Sequence, residues 1–435
     1  MNALAKGLSA TVALLLVGAA YLVPSNQSEI SVSPDEYSID VNPLPLSIAC
    51  SGSFVEVAGR SGVEVGKIEQ VDSARVRYQS TEELEVPSST TGYLPISAPG
   101  EEQSTKLLSA IQYQNVDRPR ASGLLAGYCE QPVTNGWFVS GDGGAGKETV
   151  LIAANPNTVD TQLLVEIHLG DTVITERFVI GPQREQLISL AALVGVEPSY
   201  AIYFESGGAG LVVAIQHRYS DGLNSLGVSL DTAVRQADTN LWIAPVEILA
   251  EGYESPRLRL FAPTAGATVL VTYHSSSTRT LSQQVSLKSG ELLELELELA
   301  SGTYAIEVES DVPVAASVLN PSLAPLDYQW LSPLESLSEL YLPIPGVPTE
   351  LALLNPTSNT IRVTGQVFSQ AGVEEIQLQL SPNQIQLLPI VGNRLALSAD
   401  LNFMAALQLK TASGYAVINP SENSNPGQSL SVLIR

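Results

Sequence analysis

Groups that do acid–base and covalent chemistry are scarce in this chain of 435 residues, which holds three histidines, two cysteines and two methionines. Histidine is the common general base near neutral pH. Basic residues are few as well: 21 Lys and Arg stand against 45 Asp and Glu, for a formal net charge of −24. Phosphate backbones are bound through clustered Lys and Arg, and the most basic run here is Arg118-Pro119-Arg120. That balance argues against nucleic acid as a partner and for a well-solvated acidic surface. Outside the N-terminus no helical 3.6-residue period lasts beyond a turn or two.

Stretches that imitate active sites have plainer explanations. GDGGAGKET nearly fits the phosphate loop G-x-x-x-x-G-K-[ST] from Gly141 to Lys147. Glu148 replaces the hydroxyl that would hold magnesium, and the strand-like VLIAANP follows where a helix is required. A glycine-rich hairpin fits better, and no nucleotide is expected. His168 and His274 fall at one position of an internal repeat that Phe368 fills in its third copy. A site that accepts His or Phe is a half-buried strand position. His217 stands apart, beside Arg218, and no Gly-x-Ser-x-Gly elbow accompanies any of the three. Glu294, Glu296 and Glu298 share a strand face at about 7 Å spacing, too wide for one calcium ion, and read with Glu291 as an acidic solvent face. Trp137, Trp242 and Trp330 read as one core plug per module. No catalytic residue, metal ligand or cofactor is expected.

The N-terminus carries more information. Lys6 precedes GLSATVALLLVGAAYLV at 7–23, a run without charge, and an acidic, Pro-rich stretch with Glu29, Asp35, Glu36 and Asp40 follows. Positive before and negative after orients a chain N-in and C-out. Seventeen apolar residues just suffice to span, while Ala19 and Ala20 offer a cleavage site. The expectation is a contact with the cytoplasmic membrane through 7–23 and an extracellular remainder, secreted if the segment is cut. Two cysteines in an exported chain are most simply one disulfide, Cys50 to Cys129. Closing that loop is worth about 4 kcal/mol of chain entropy.

The remainder is a repeat. TVLIAANPNTVDTQLLVEIHLG from Thr149, RLRLFAPTAGATVLVTYHS from Arg257 and ELALLNPTSNTIRVTGQVFS from Glu350 each read strand, proline break, strand. Each continues through a polar hairpin into further alternating strands, with ELLELELELA the clearest alternation. Pro156, Pro263 and Pro356 recur at about one-hundred-residue intervals, the size of one β-sandwich. Proline cannot donate to a ladder and drives the residue before it out of helix. It therefore marks a corner that three modules share.

The stretch GLLAGYCEQPVTNGWFVSGDGGAGKETVLIAANP, with ESDVPVAASV and Asp327-Tyr328-Gln329-Trp330 further on, resembles an actinobacterial secreted or membrane-anchored family of unknown function. The resemblance covers most of the chain from Cys50 onward. It implies a cell-envelope protein without assigned chemistry. Cys50-Ser51-Gly52-Ser53 stands where that family would place Cys-Pro-Gly-Pro.

The sequence therefore predicts an all-β protein: an N-terminal membrane anchor followed by tandem immunoglobulin-like β-sandwich modules. The segments are an anchor or signal peptide at 1–23, a linker at 24–43, a β region at 44–130, and repeats at 131–238, 239–338 and 339–435. The region 44–130 is a fourth module or a β-layer clipped onto the first repeat. The leading function is a non-catalytic envelope scaffold or accessory subunit. The alternatives are a surface module that binds a glycan or an envelope protein, and a cell-wall hydrolase.

Overall fold

The computed structural model describes residues 35–40, 47–57, 67–79, 88–97, 108–195, 199–232, 236–250, 254–275, 280–421 and 429–434. The anchor segment 7–23 lies outside them. Among the described residues no helix is long and apolar enough to cross a membrane. The chain forms two units, Leu44–Asn425, and Met1–Pro43 with Pro426–Arg435. In the small one, Asp35–Asp40 pairs antiparallel with Ser429–Ile434. The protein is all-β, and its described helix is the single turn Ala191–Val194.

In the large unit, residues 135–231 make two four-stranded antiparallel sheets. One runs Asn135–Gly141, Tyr200–Ser206, Thr161–Leu169, Thr172–Ile180. The other runs Arg184–Ser189, Lys147–Asn155, Val212–Asp221, Asn224–Asp231. Inward positions on alternating strands, among them Phe138, Leu151, Val165, Phe204 and Val213, meet between them as a core.

Residues 238–331 and 337–418 repeat this order with one change. The sixth and seventh strands merge into a single long strand that passes from one sheet to the other. Gly302–Leu323 pairs first with Asp238–Ile248 and Ala267–Ser275, then with Arg257–Phe261 and Leu326–Leu331. Arg394–Lys410 pairs with Leu337–Pro343 and Ile361–Ser369, then with Thr349–Leu354 and Tyr415–Ile418. The region before residue 130 supplies one four-stranded sheet: Ser88–Thr90, Ala74–Gln79, Ser109–Arg118, Ala121–Tyr128. Cys50 and Cys129 are joined by a disulfide.

The shared Asn-Pro phrase has a side-chain cause as well as a backbone one. Asn155 is fully buried; its amide nitrogen donates to the carbonyls of Val159 and Ile180, and its oxygen accepts from the Asn157 N–H. Asn355 does the same with Asn359, Leu380 and Thr357. Each asparagine pins its corner loop to the strand that passes beneath. The second sandwich has Ala262-Pro263 there and lacks the clasp.

The sandwiches are consecutive in sequence but not independent in space. Phe54, Val150, Val228 and Leu125 pack the N-terminal sheet on the first sandwich. Val139, Phe261 and Ala315, with Tyr219, Tyr328 and Trp330, join the first to the second. Val318, Leu331, Ala406 and Tyr415 join the second to the third. Ile111, Leu124, Leu351 and Leu407 return from the third to the N-terminal sheet. Four sheets thus close a ring, each contributing its last strand to the centre.

Candidate functional site

At that centre stands Asp327. Its Oδ1 accepts the N–H groups of Val228 (3.0 Å) and Tyr328 (2.9 Å), and its Oδ2 those of Leu124 and Tyr415 (both 2.9 Å). One carboxylate therefore takes a donor from all four inner strands. Asp327 pairs with Ser322, as Gly227 does with Tyr219, Gly123 with Val116, and Gly414 hydrogen-bonds Thr411 at the corresponding turn. Three glycines and one aspartate thus fill the same place in four sheets. A Cβ on Gly123 would lie 2.6 Å from Asp327 Oδ1, one on Gly227 would be closer still, and one on Gly414 would strike the Leu124 backbone. Burial pushes the carboxyl up to about 7 against the pull of its four donors.

A second polar cluster lies between the first and second sandwiches. Asp142 is fully buried; its Oδ2 accepts from Lys147 Nζ (2.9 Å), Tyr219 OH (2.9 Å) and Arg259 Nη2 (3.3 Å). Arg259 is 1% exposed, lies over the Trp330 ring at 4.5 Å, donates to the Gly141 carbonyl, and reaches Glu294 at 2.6 Å. The loop that imitates a phosphate site is not a hairpin: it crosses from Asn135–Gly141 in one sheet to Lys147–Asn155 in the other, and its lysine is bound to its own aspartate. Burial would raise the Glu294 carboxyl; Arg259 and Arg257 overcome it and hold it below the usual range. Glu294 keeps the solvent-facing position expected of it, with its side chain 31% exposed, but it sits opposite Arg259 in the ladder and is ion-paired with it. The alternation at 292–299 hid that pairing, because its partners come from a strand 35 residues away.

The histidines are dispersed. His168, His274 and Phe368 stand opposite Ala201, Ala305 and Arg394, one pleat position in three sandwiches. His168 packs on Trp137 and Phe261, and burial lowers its pKa against the pull of Glu166. His274 stacks on Trp242 and lies 2.9 Å from Glu307. His217 is fully buried beside Thr149; burial, then Arg259 and Lys147, push its pKa far down, so it is neutral. Trp137 and Trp242 occupy the first strands of their sandwiches, but Trp330 does not open the third. It lies in the last strand of the second, where its Nε1 donates to Tyr219 OH. Among the described residues no three His, Cys, Asp or Glu converge as a metal site would require.

One further feature escaped the sequence: a cleft of about 690 Å3 at one end of the third sandwich, walled by Pro345, Val347, Pro348, Pro389 and Val391, with Glu350, Gln408 and Lys410 on its polar side. Its lining comes from segments dozens of residues apart, so no local motif marks it.

These features define an all-β protein of three sandwiches and a further four-stranded sheet locked about a buried carboxylate. The chain belongs to DUF5719, a family of unknown function whose profile matches residues 85–381. No curated protein matches it. A solved tetra-tandem repeat from the extending region of a large adhesion protein is 11% identical over 80% of this chain and 92% of that one, at a TM-score of 0.12. That likeness is too slight to bear on fold or function.

Proposed function

We propose that this protein is a non-catalytic, exported scaffold or accessory subunit of the cell envelope, held at the cytoplasmic membrane through residues 7–23 or secreted after their removal. The observation that carries the reading is the Asp142–Arg259 cluster. Asp142, Lys147, Tyr219, Arg259 and Glu294, all groups able to do chemistry, are bonded to one another between two sandwiches, where they fix their contact. The buried disulfide favours an oxidising compartment, and the resemblance to an actinobacterial envelope family agrees with it. The sandwiches, with boundaries near 131–238, 239–338 and 339–435, are read as immunoglobulin-like variants. Strands two and five share one sheet and strands three and six the other, as in that fold, while the first, fourth and last strands lie in the opposite sheets.

The test is made in cells. External protease digests the full chain in intact spheroplasts, and deletion of residues 2–23 protects it and abolishes its role. Turnover of a cell-wall polymer by the purified full chain, lost on a single substitution, would instead establish a hydrolase. A second reading, a surface module that binds another envelope protein, is favoured by the cleft in the third sandwich.

A further inference from the structure

Each sandwich carries an aromatic residue on its first strand, and the three stand in register. Trp137 faces Tyr203, which faces Glu166; Trp242 faces Glu307, which faces Thr272; Tyr341 faces Ala396, which faces Gln366. Glu166, Thr272 and Gln366 lie two residues before His168, His274 and Phe368, so each row and that pleat position share one face of the sheet. It is the face turned away from the sandwich core, to which Val165, Val271 and Val367 point.

In the first two sandwiches the ring on this face is capped. Trp137 lies 5.1 Å from the His168 ring, 4.9 Å from Tyr203 and 5.1 Å from Phe261 of the second sandwich. Trp242 stacks on His274 at 5.1 Å and is 2% exposed. The third sandwich has lost both neighbours. Phe368 is covered by the Arg394 guanidinium at 4.0 Å, and the small Ala396 stands where Tyr203 and Glu307 do. Tyr341 makes no ring contact among the described residues, and a hollow of about 360 Å3 opens beside it. Pockets for small ligands measure about 300–1,000 Å3.

The lining of the hollow says what would fill it. Thr364 and Ser398 place their hydroxyls 3.4 Å apart, Gln366 and Gln377 add two amides, and Glu375 adds one carboxylate. Ile376 and Leu397 also border it, but they are buried and belong to the core. Beyond Tyr341 and the Ala396 methyl, an apolar protein segment therefore finds no anchor. Amides and hydroxyls both donate and accept, and a carboxylate accepts from neighbouring hydroxyls. A pyranose matches that mixture, with C–H groups on its faces for an aromatic ring and hydroxyls around its rim. An anionic ligand is opposed by Glu375 and by the net charge of −24.

We propose that this face of the third sandwich binds a neutral polysaccharide. One pyranose ring stacks on Tyr341 above Ala396, while Gln366, Gln377 and Glu375 hold its hydroxyls. The inference goes beyond the scaffold reading, which assigns the molecule no ligand, and it does not depend on export.

The test applies the full chain in detergent to an array of neutral and anionic oligosaccharides, with affinities then measured by calorimetry. At least one neutral pyranose oligosaccharide should bind. Tyr341→Ala should weaken it at least tenfold, whereas Tyr341→Phe, which keeps the ring, should retain most of the affinity. Ala396→Tyr supplies the residue that the first sandwich has there and should abolish binding by filling the hollow. Should that variant fail to fold, Gln377→Ala, at an exposed position, should still weaken binding severalfold with an unchanged thermal midpoint. No binding to any neutral oligosaccharide, or binding to anionic ones alone, would overturn the proposal. So would binding that a folded Tyr341→Ala or Gln377→Ala variant leaves unchanged.

Discussion

Asp327 occupies a place that three counterparts leave to glycine, and its carboxyl accepts four backbone donors. Asp327→Asn keeps one acceptor oxygen but turns an NH2 group on two of those N–H groups. The expected cost is about 2–4 kcal/mol, from buried donors left without acceptors. The pH dependence adds a second readout. The folded carboxyl is pushed up to about 7, above an unfolded value of about 3.9, so the folded state binds the proton more tightly. The stability this group contributes is fully present below pH of about 4 and is lost as pH rises through about 7, at up to about 1.4 kcal/mol per unit. The difference in unfolding free energy between wild type and Asp327→Asn, measured from pH 4 to 8, should therefore narrow as pH rises. A flat difference would show that the carboxyl does not titrate in that range. None of this was legible in Asp327-Tyr328-Gln329-Trp330. A lone aspartate beside two aromatics gives no sign that its partners lie about 90 to 200 residues away.

Strands and corners were far more readable than contacts between sheets. Alternation and proline spacing place the repeated corners, because a half-buried strand writes its period of two into local sequence. The merging of two strands into Gly302–Leu323 and Arg394–Lys410 was not visible, since a strand that changes sheets keeps the same alternation through the crossing. The asparagine of the Asn-Pro phrase was read only as a companion of proline, whereas Asn155 and Asn355 tie each corner to a strand 25 residues on. Asn155→Ala or Asn355→Ala should each cost about 2–3 kcal/mol, for two carbonyls in the first case and three in the second lose their donor and one N–H its acceptor. Ala262→Asn in the second sandwich is the matching gain-of-clasp variant. If chemical denaturation shows the two alanine variants unchanged, the clasp contributes nothing and proline alone sets the corner.

Across the whole large unit, the closed ring changes how distant parts respond to one another. The Cys50–Cys129 bridge spans a sequence separation of 79 residues, and Cys129→Ser removes about 4 kcal/mol in the loop-entropy model. In a string of beads that loss would stay near the N-terminus. Here Ile111, Leu124 and Tyr128 share a core with Leu351, Leu353 and Leu407 of the third sandwich, so its urea midpoint should fall with the rest. A midpoint unchanged for probes in residues 337–418 would contradict that coupling.

Native-state hydrogen exchange in rising urea, read by mass spectrometry, tests the ring most directly. The amides of Leu124, Val228, Tyr328 and Tyr415 belong to four different sheets and share one acceptor. Local openings of separate domains carry separate free energies, whereas one cooperative body opens as a unit. The account predicts that peptides covering these four amides lose protection together, with a single free energy and a single urea dependence, and that Asp327→Asn lowers all four equally. Protection lost sandwich by sandwich, each at its own urea concentration, would mean that the modules are independent beads and that Asp327 does not hold them together.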